Sequence, residues 1–574
     1  MQNILQQESK SLMHIPKGEK PQNGLKGLKY WKQDLLAGLV VSFVATPVSI
    51  GIAIASGAPP IAGLISAIVA GFVLPLFGGS YVTISGPAAG LAPVIYSSIL
   101  ALSMGHTANL EQGFHLLLPV IFLMGLFQVI LSQFKVAKYS KIFPIPVIEG
   151  MMASIGLMII FKQVPLLIGH KFLAHEFWGI VLETPSELRH CTPEVFALGG
   201  FSLGMMILLY ASRKKIRFLQ TFPPQLVTVL VGTLLGLALH LDKKFLISLP
   251  TNPLANAMHW SNFQDLMAHP GILTVIPGLI LTLTMIDGIE SLATITAVDK
   301  IDPYRRKSSP DKTLLAMGAS NMVSSMAGGL TLIPEILRSS TSILAGGKTQ
   351  WANFCCAFFV MLYLLMFRDT ISLIPLTVLS GVVIYTGYTL CKPVIWKKIF
   401  NTGLDQFFVY IWTIYVTVSY DLMWGILSGV VVAIVLNLVN IVRHQMSATA
   451  GASIFKTLWD SFTSPVSKVE TQAGESHIYV NKPVVCTNFL HLTQAMTAVS
   501  ADSKKIKVHF LPVVQMVDHT AAEHLLSTIQ DVSESYNATV CLEGLEQLRN
   551  YHSLGELFHF PCREEYFDQV AVNA

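Results

Sequence analysis

From Asp34 to Arg443 long apolar runs alternate with short polar or Gly/Pro-rich breaks. Runs of roughly 18 residues or more recur, each long enough to cross about 30 Å of hydrocarbon as a helix. Cutting at glycines, prolines and charge clusters predicts fourteen spans. They cover approximately 34–55, 60–77, 81–102, 115–134, 145–167, 193–212, 223–240, 271–299, 312–327, 331–345, 351–367, 373–390, 405–420 and 423–442. Beyond about residue 455 the pattern changes. IYVNKPVV, KIKVHFLPVV and ATVCLEGL read as short β-branched strands. The stretches 487–501, 519–536 and 546–558 read as helices between and after them. That alternation predicts a small α/β domain with helices covering both sheet faces.

Composition supports the spans. The chain is 574 residues long, 52% hydrophobic and 13% charged, with a mean hydropathy of +0.57. A soluble protein of this size needs far more polar surface. The net charge of +4 matters less than its placement. With the N-terminus inside, cytoplasmic connections hold Lys135/Lys138/Lys141, Arg213/Lys214/Lys215/Arg217, Lys300/Arg305/Arg306/Lys307/Lys312, Lys348 and Lys392/Lys397/Lys398. The opposite connections hold a thin set: Lys162, Lys171, Arg189, Lys243, Lys244 and Arg368. This asymmetry places both termini in the cytoplasm of a plasma (inner) membrane protein. The first 33 residues are polar and Lys-rich and read as a cytoplasmic segment without a signal peptide. Seven scattered cysteines form no CxxC pair and no ligand spacing, so free thiols are expected.

Two stretches break the helical pattern alike. GGSYVTISGPAAGLA (78–92) and GGLTLIPEILRSSTS (328–342) both open on Gly-Gly, run extended, and place a proline before an apolar helix. They fall in the third span of each half, and an odd number of spans per half makes the halves inverted. Interrupted segments at matching places in two halves point to a midplane transport site. One such break alone reads as a kink; its duplicate favours a site. Two half-helices would aim their N-termini at each other, each with roughly half a positive charge. Such ends bind anions. Ser85, Gly86, Ala88 and Ala89 would supply one end, and Glu335, Ile336 and Leu337 the other.

Arg338 follows Glu335 by three residues and shares its helix face. If Glu335 cancels Arg338, a monoanion such as bicarbonate suits the cavity better than divalent sulfate. In LTLTMIDGIESLATITAVDK, Asp287, Glu290 and Thr294 fall at helical spacing, and Glu290 and Thr294 share a face. Moving a monoanion inward against about 100 mV costs about 2.3 kcal/mol. A coupling proton, sodium ion or exchanged anion must supply it, and a membrane carboxylate beside a hydroxyl suits a proton or sodium relay.

ISGPAAG (84–90), GIESLATITAVDK (288–300), RSSTSILAGGKTQ (338–350) and LIPLTVLSGVVIYTG (373–387) resemble the SulP inorganic-anion transporters. The resemblance implies fourteen spans in two inverted seven-span repeats, core and gate subdomains, an anion site between spans 3 and 10, and a homodimer. It draws Thr46, in TPVSIGIAIASG, into the substrate set. Val48 stands where sulfate-carrying members often have Gln, which leans toward bicarbonate. Glu290 stands where sodium-coupled bicarbonate carriers tend to have Asp, which leans toward protons. LPVVQMVDHTAAEHLL (511–526) resembles the signature of a STAS domain, with Asp518 and Thr520 at its regulatory loop. His519 and Ala521 depart from the usual Ser and Gly, which argues against phosphorylation of Thr520. The resulting division is a segment at 1–33, a transmembrane domain at 34–445, a linker at 446–475 and a STAS-like cytoplasmic domain at 476–574.

The expected function is secondary active transport of a small inorganic anion (bicarbonate or sulfate, with chloride as a third choice), by proton or sodium symport or by exchange. A passive anion channel or a STAS-regulated membrane sensor is the alternative. AGGKT (345–349) looks like the end of a phosphate loop, but Ser342 occupies the position where that motif wants Gly. No enzyme signature appears. No cofactor, resident metal or nucleic-acid partner is expected; the lipid bilayer is.

Overall fold

The computed structural model describes residues 20–545 apart from 104–109, 138–142, 171, 175, 213–222, 250–272, 421, 447–458, 473–474, 501–502, 515 and 537. The helix expected at 546–558, the basic cluster 213–217, and Lys138, Lys141 and Lys171 lie outside the described residues. Two compact units emerge. One comprises Met1–Ser140, Met152–Lys392 and Val418–Met423, the other Lys141–Met151, Pro393–Thr417 and Trp424–Ala574.

A helix lies in every predicted interval. In chain order these are α1 (Trp31–Ala55), α2 (Pro60–Phe77), β1 (Ser85–Pro87) with α3 (Ala92–Leu102), α4 (Leu110–Gln133) and α5 (Ile145–Ile168). An unanticipated α6 (Phe177–Glu187) precedes α7 (Pro193–Ser212) and α8 (Pro224–Ala238). The second half runs α9 (Ile276–Ile301), α10 (Pro310–Met326), β2 (Leu332–Pro334) with α11 (Ile336–Leu344), α12 (Trp351–Met366) and α13 (Leu376–Leu390). An unanticipated amphipathic α14 (Pro393–Thr402) comes before α15 (Leu404–Ser419) and α16 (Leu422–Met446). Among the described residues eight helices are long and apolar enough to cross a membrane. The proline punctuation works as chemistry requires: α2 opens on Pro60, where a missing N–H costs nothing. It closes on Gly78 at φ 77°, a left-handed position that glycine tolerates.

The first unit holds the interrupted segments. Its helices approach closely where glycines face each other: a side chain on Gly318 of α10 would sit 2.6 Å from the Gly125 carbonyl of α4. In lipid, such small-residue contacts replace the hydrophobic driving force between helices.

The second unit carries the small α/β domain. Its sheet runs β3 (Val466–Gln472), β4 (Glu475–Val480), β5 (Lys505–Phe510), β6 (Thr539–Glu543). β3 joins antiparallel, and β4, β5 and β6 are parallel. Two departures from expectation stand out. β3 arises from a stretch read as linker, because Lys468 and Glu470 mask the alternation of an edge strand. The helices α17 (Phe489–Val499) and α18 (His519–Tyr536) also share one sheet face rather than covering both. Ile478, Val480, Ile506, Val508, Val540 and Leu542 enclose one core with Leu492, Met496, Leu525 and Ile529. Successive right-handed crossovers stepping the same way across a sheet must leave their helices on one side. Five cysteines are free thiols as expected (Cys191, Cys355, Cys356, Cys391 and Cys486), whereas Cys541 is disulfide-bonded.

The helix crossing at Gly125 and Gly318 yields a stability test. Gly318→Val overpacks it by a cost of about 1–3 kcal/mol, lowering the melting temperature of detergent-solubilised protein by several degrees. Gly200→Val, with open space around its Cβ position, should leave that temperature unchanged.

Candidate functional site

The two interrupted segments meet. β1 and β2 pair antiparallel, with Ser85 opposite Pro334, Gly86 opposite Ile333 and Pro87 opposite Leu332. The Ala88 amide donates to Thr331 O at 3.1 Å and the Glu335 amide to Ile84 O at 2.9 Å. Side chains complete the accounting: Ile84 N–H donates to Ser339 Oγ (2.9 Å) and Ser85 N–H to Asn353 Oδ1 (3.3 Å). Extended backbone inside a bilayer survives only when its polar groups are satisfied by protein or face a cavity. Each broken segment satisfies the other.

This pairing corrects one expectation. Ser85 and Gly86 lie in the strand, Ala88 spends its amide on Thr331, and α3 begins only at Ala92. Of the first group, only Ala89 stands at the helix entrance. The other entrance is as expected: Glu335 occupies the extended N-cap position (φ −119°, ψ 126°), and Ile336 and Leu337 open α11.

The charges gather around that crossing. Arg338 is buried at 1% exposure. Its Nε lies 2.6 Å from Glu335 Oε2, and its Nη2 donates to Ser49 Oγ of α1 at 3.1 Å. A Cβ on Gly86 would collide with Arg338 Nη1, so the missing side chain makes room for the guanidinium. A Cβ on Gly90 would likewise collide with the Glu290 carboxylate. Glu290 therefore abuts the turn leading into α3, within electrostatic reach of Asp287 and Glu335. Arg338 Nη1, Glu335 Oε1, Glu290 Oε2 and Asp287 Oδ1 have no hydrogen-bond partner among the described residues. Buried polar atoms without partners are costly, and a cluster of four at one crossing calls for a physical explanation. Thr294 is buried one turn beyond Glu290. Thr46 turns its hydroxyl back to Ser42 O at 2.9 Å, two residues before Val48.

A supporting polar chain escaped the sequence reading. Gln128 of α4 donates to Asp287 Oδ2 (2.5 Å), Asn321 of α10 donates to Gln128 Oε1 (2.9 Å), and the Leu332 amide of β2 donates to Asn321 Oδ1 (2.8 Å). It ties the α9 acid to the strand pair. Lone amides in apolar spans, Gln128 in LMGLFQVIL and Asn353 in WANFCC, were the available signal. A small cavity opens beside the crossing, lined by Val48, Ile52, Ala55, Ala89, Ala92, Ile159, Val383 and Thr386.

Two other motifs resolve. The AGGKT turn is filled by its own chain: the Lys348 and Thr349 amides donate to Asp34 Oδ1 (2.7 and 3.1 Å), and Thr349 Oγ1 donates to Oδ2 (2.5 Å). A carboxylate occupies the place a phosphate would need. Thr520 is buried, its Oγ1 accepting from the Ile145 amide at 3.2 Å. Asp518 accepts from the Ala521 and Cys486 amides, both at 2.6 Å, and from Asn437 Nδ2 at 3.1 Å. Burial pushes its carboxyl up to about 6, against the lowering effect of those donors.

Antiparallel interrupted segments, a buried guanidinium and carboxylates on the facing helix thus come together among helices long and apolar enough to cross a membrane. Residues 31–414 match the sulfate permease family, and the chain belongs to it. It is similar to the putative sulfate transporter YvdB of Bacillus subtilis, 24% identical over 94% of this chain and 97% of that one. It is similar also to the bicarbonate transporter BicA of Picosynechococcus, 26% identical over 71% of this chain and 70% of that one. The transmembrane domain of a cyanobacterial BicA matches its fold with a TM-score of 0.60 at 23% identity, covering 70% of this chain and 97% of that one. Murine Slc26a9 matches with 0.62 at 15% identity, over 96% and 90% of the two chains.

Two measurements follow from this geometry. Gly86→Ala drives a methyl into Arg338 and should cut anion uptake by at least about tenfold, equivalent to roughly 1.4 kcal/mol, with an unchanged elution profile. The second concerns Asp518, whose folded value of about 6 exceeds the unfolded one of about 3.9. Its stabilising contribution is therefore complete below about pH 4 and lost as pH rises through about 6. Wild type should lose melting temperature relative to the non-titrating Asp518→Asn variant as pH rises across that window; a difference that stays constant would remove Asp518 as its cause.

Proposed function

We propose that the protein is a secondary active transporter of a small inorganic anion, with bicarbonate favoured over sulfate, coupled to a cation and working by alternating access. The observation that carries this reading is the β1–β2 pairing, which gathers two helix entrances, Arg338 and the α9 acids at one buried crossing. Helix N-termini and a guanidinium supply attraction for an anion.

Charge counting supports cation coupling. Asp287, Glu290 and Glu335 set three acids against Arg338. An incoming anion is repelled unless that excess is neutralised, which a proton or sodium ion arriving with it accomplishes. Glu290, apposed to the turn at Gly90, is the coupling residue this reading favours, with Asp287 held beside it by Gln128 and Thr294 one turn away. The Arg338–Glu335 pair leaves little net charge from side chains. A monoanion matches the remaining helix-end field better than a dianion does. Val48 in the cavity wall adds no donor for a sulfate oxygen.

Under this reading the core rocks against the gate, both termini face the cytoplasm, and the chain works in the plasma membrane as a homodimer. The basic residues at 135–141, 300–312 and 392–398 support that orientation. Asp518 and Thr520 then belong to a regulatory rather than catalytic module.

Proteoliposome uptake of labelled bicarbonate and sulfate under imposed proton or sodium gradients tests the proposal. Glu290→Gln should abolish gradient-driven accumulation while retaining anion exchange. Failure of the wild type to move either anion, or accumulation surviving in the variant, contradicts it.

A further inference from the structure

Lys162 falls inside the span predicted at 145–167 and also counts among the sparse basic residues of the outer side. The structure places it within α5, one turn beyond Ile159, which lines the cavity. Its Nζ donates to the Pro93 carbonyl at 3.4 Å and lies 4.3 Å from the centre of the Tyr96 ring. Both partners belong to α3, whose first residue, Ala92, is also in the cavity wall. A Cβ on Gly57, just past the end of α1, would meet the Tyr96 ring at 2.8 Å. The ammonium thus sits toward the end of the cavity where α1 terminates, the side marked by Ala55.

Among the described residues Lys162 makes no ion pair, only its contacts with the Pro93 carbonyl and the Tyr96 ring. A carbonyl and a ring face attract a cation without neutralising it. Charges within membrane spans pair with each other or mark an ion pathway. Arg338 is paired with Glu335; among the described residues Lys162 is a further cation near this cavity, and one that an anion can neutralise.

We propose that Lys162 is a second contact for the transported inorganic oxyanion, receiving it at the α1-terminal end of the cavity on its way to or from the Arg338 crossing. The ammonium turns from the Pro93 carbonyl to an anion oxygen while remaining near the Tyr96 ring face. This rests on the transport reading above and adds a station to it. A contact made along the path and not released in the rate-limiting step lowers KM and leaves kcat nearly unchanged.

The test is uptake kinetics of the full chain in proteoliposomes, with labelled bicarbonate and sulfate as probes. Lys162→Gln should raise KM by about tenfold and change kcat by less than about threefold, and Lys162→Arg should restore most of the affinity. A KM in Lys162→Gln matching wild type overturns the proposal while leaving transport itself intact. Wild-type protein that moves neither anion contradicts the transport reading instead. A readout that needs no variant is acylation of Lys162 by an amine-reactive ester, followed by mass spectrometry. Saturating bicarbonate or sulfate should protect it; labelling unaffected by either anion counts against the contact.

Discussion

The structure depends on two three-residue strands that hydrogen-bond to each other where a membrane helix would normally run unbroken. A helix satisfies its own amides; an interrupted segment cannot. Ser85–Pro87 and Leu332–Pro334 solve this reciprocally, with Asn353 and Ser339 taking the donors that the ladder leaves over. Prolines in both strands forbid helix continuation, and the small residues around them let backbone approach backbone. Without the partner strand, either break would bury unsatisfied groups in an apolar medium.

That constraint fixes the chemistry. Because the strands hold 84–88 and 331–335 in register, Arg338 falls beneath Gly86 and Ser49, and Glu290 against Gly90. The site is acid-rich, an odd property for anion binding unless the acids change protonation or cation occupancy as the anion enters. The Gln128–Asn321 chain gives Asp287 a fixed place relative to β2. A polar network of this kind stiffens what it connects when its members are satisfied.

Much of this was legible in the residues. Span positions followed from apolar runs, and the crossing from the repeated Gly-Gly…Pro pattern, because each is a local property of the chain. What escaped is set by tertiary contact. Ser85 and Gly86 looked like helix-end donors, yet the facing strand claims that stretch of backbone. Lys162 counted among the outer basic residues, since a lysine in an apolar run usually marks its end. Its long stem instead carries the head to Pro93 and Tyr96. Gln128, Asn321 and Asn353 form no motif; the first two become a chain, and Asn353 a partner for Ser85, only once the helices converge. β3 was hidden by its charged edge, and α14 by Lys397 and Lys398.

The central claim is that the strand crossing holds the transported anion beside Arg338. Anomalous diffraction from crystals of the full chain soaked in bromide, and separately in selenate, measures this directly. A peak within hydrogen-bond distance of Arg338, between Ala89 and the start of α11, is the result expected. Heavy-anion density confined to other parts of the molecule, with the crossing empty at saturating concentration, would contradict it.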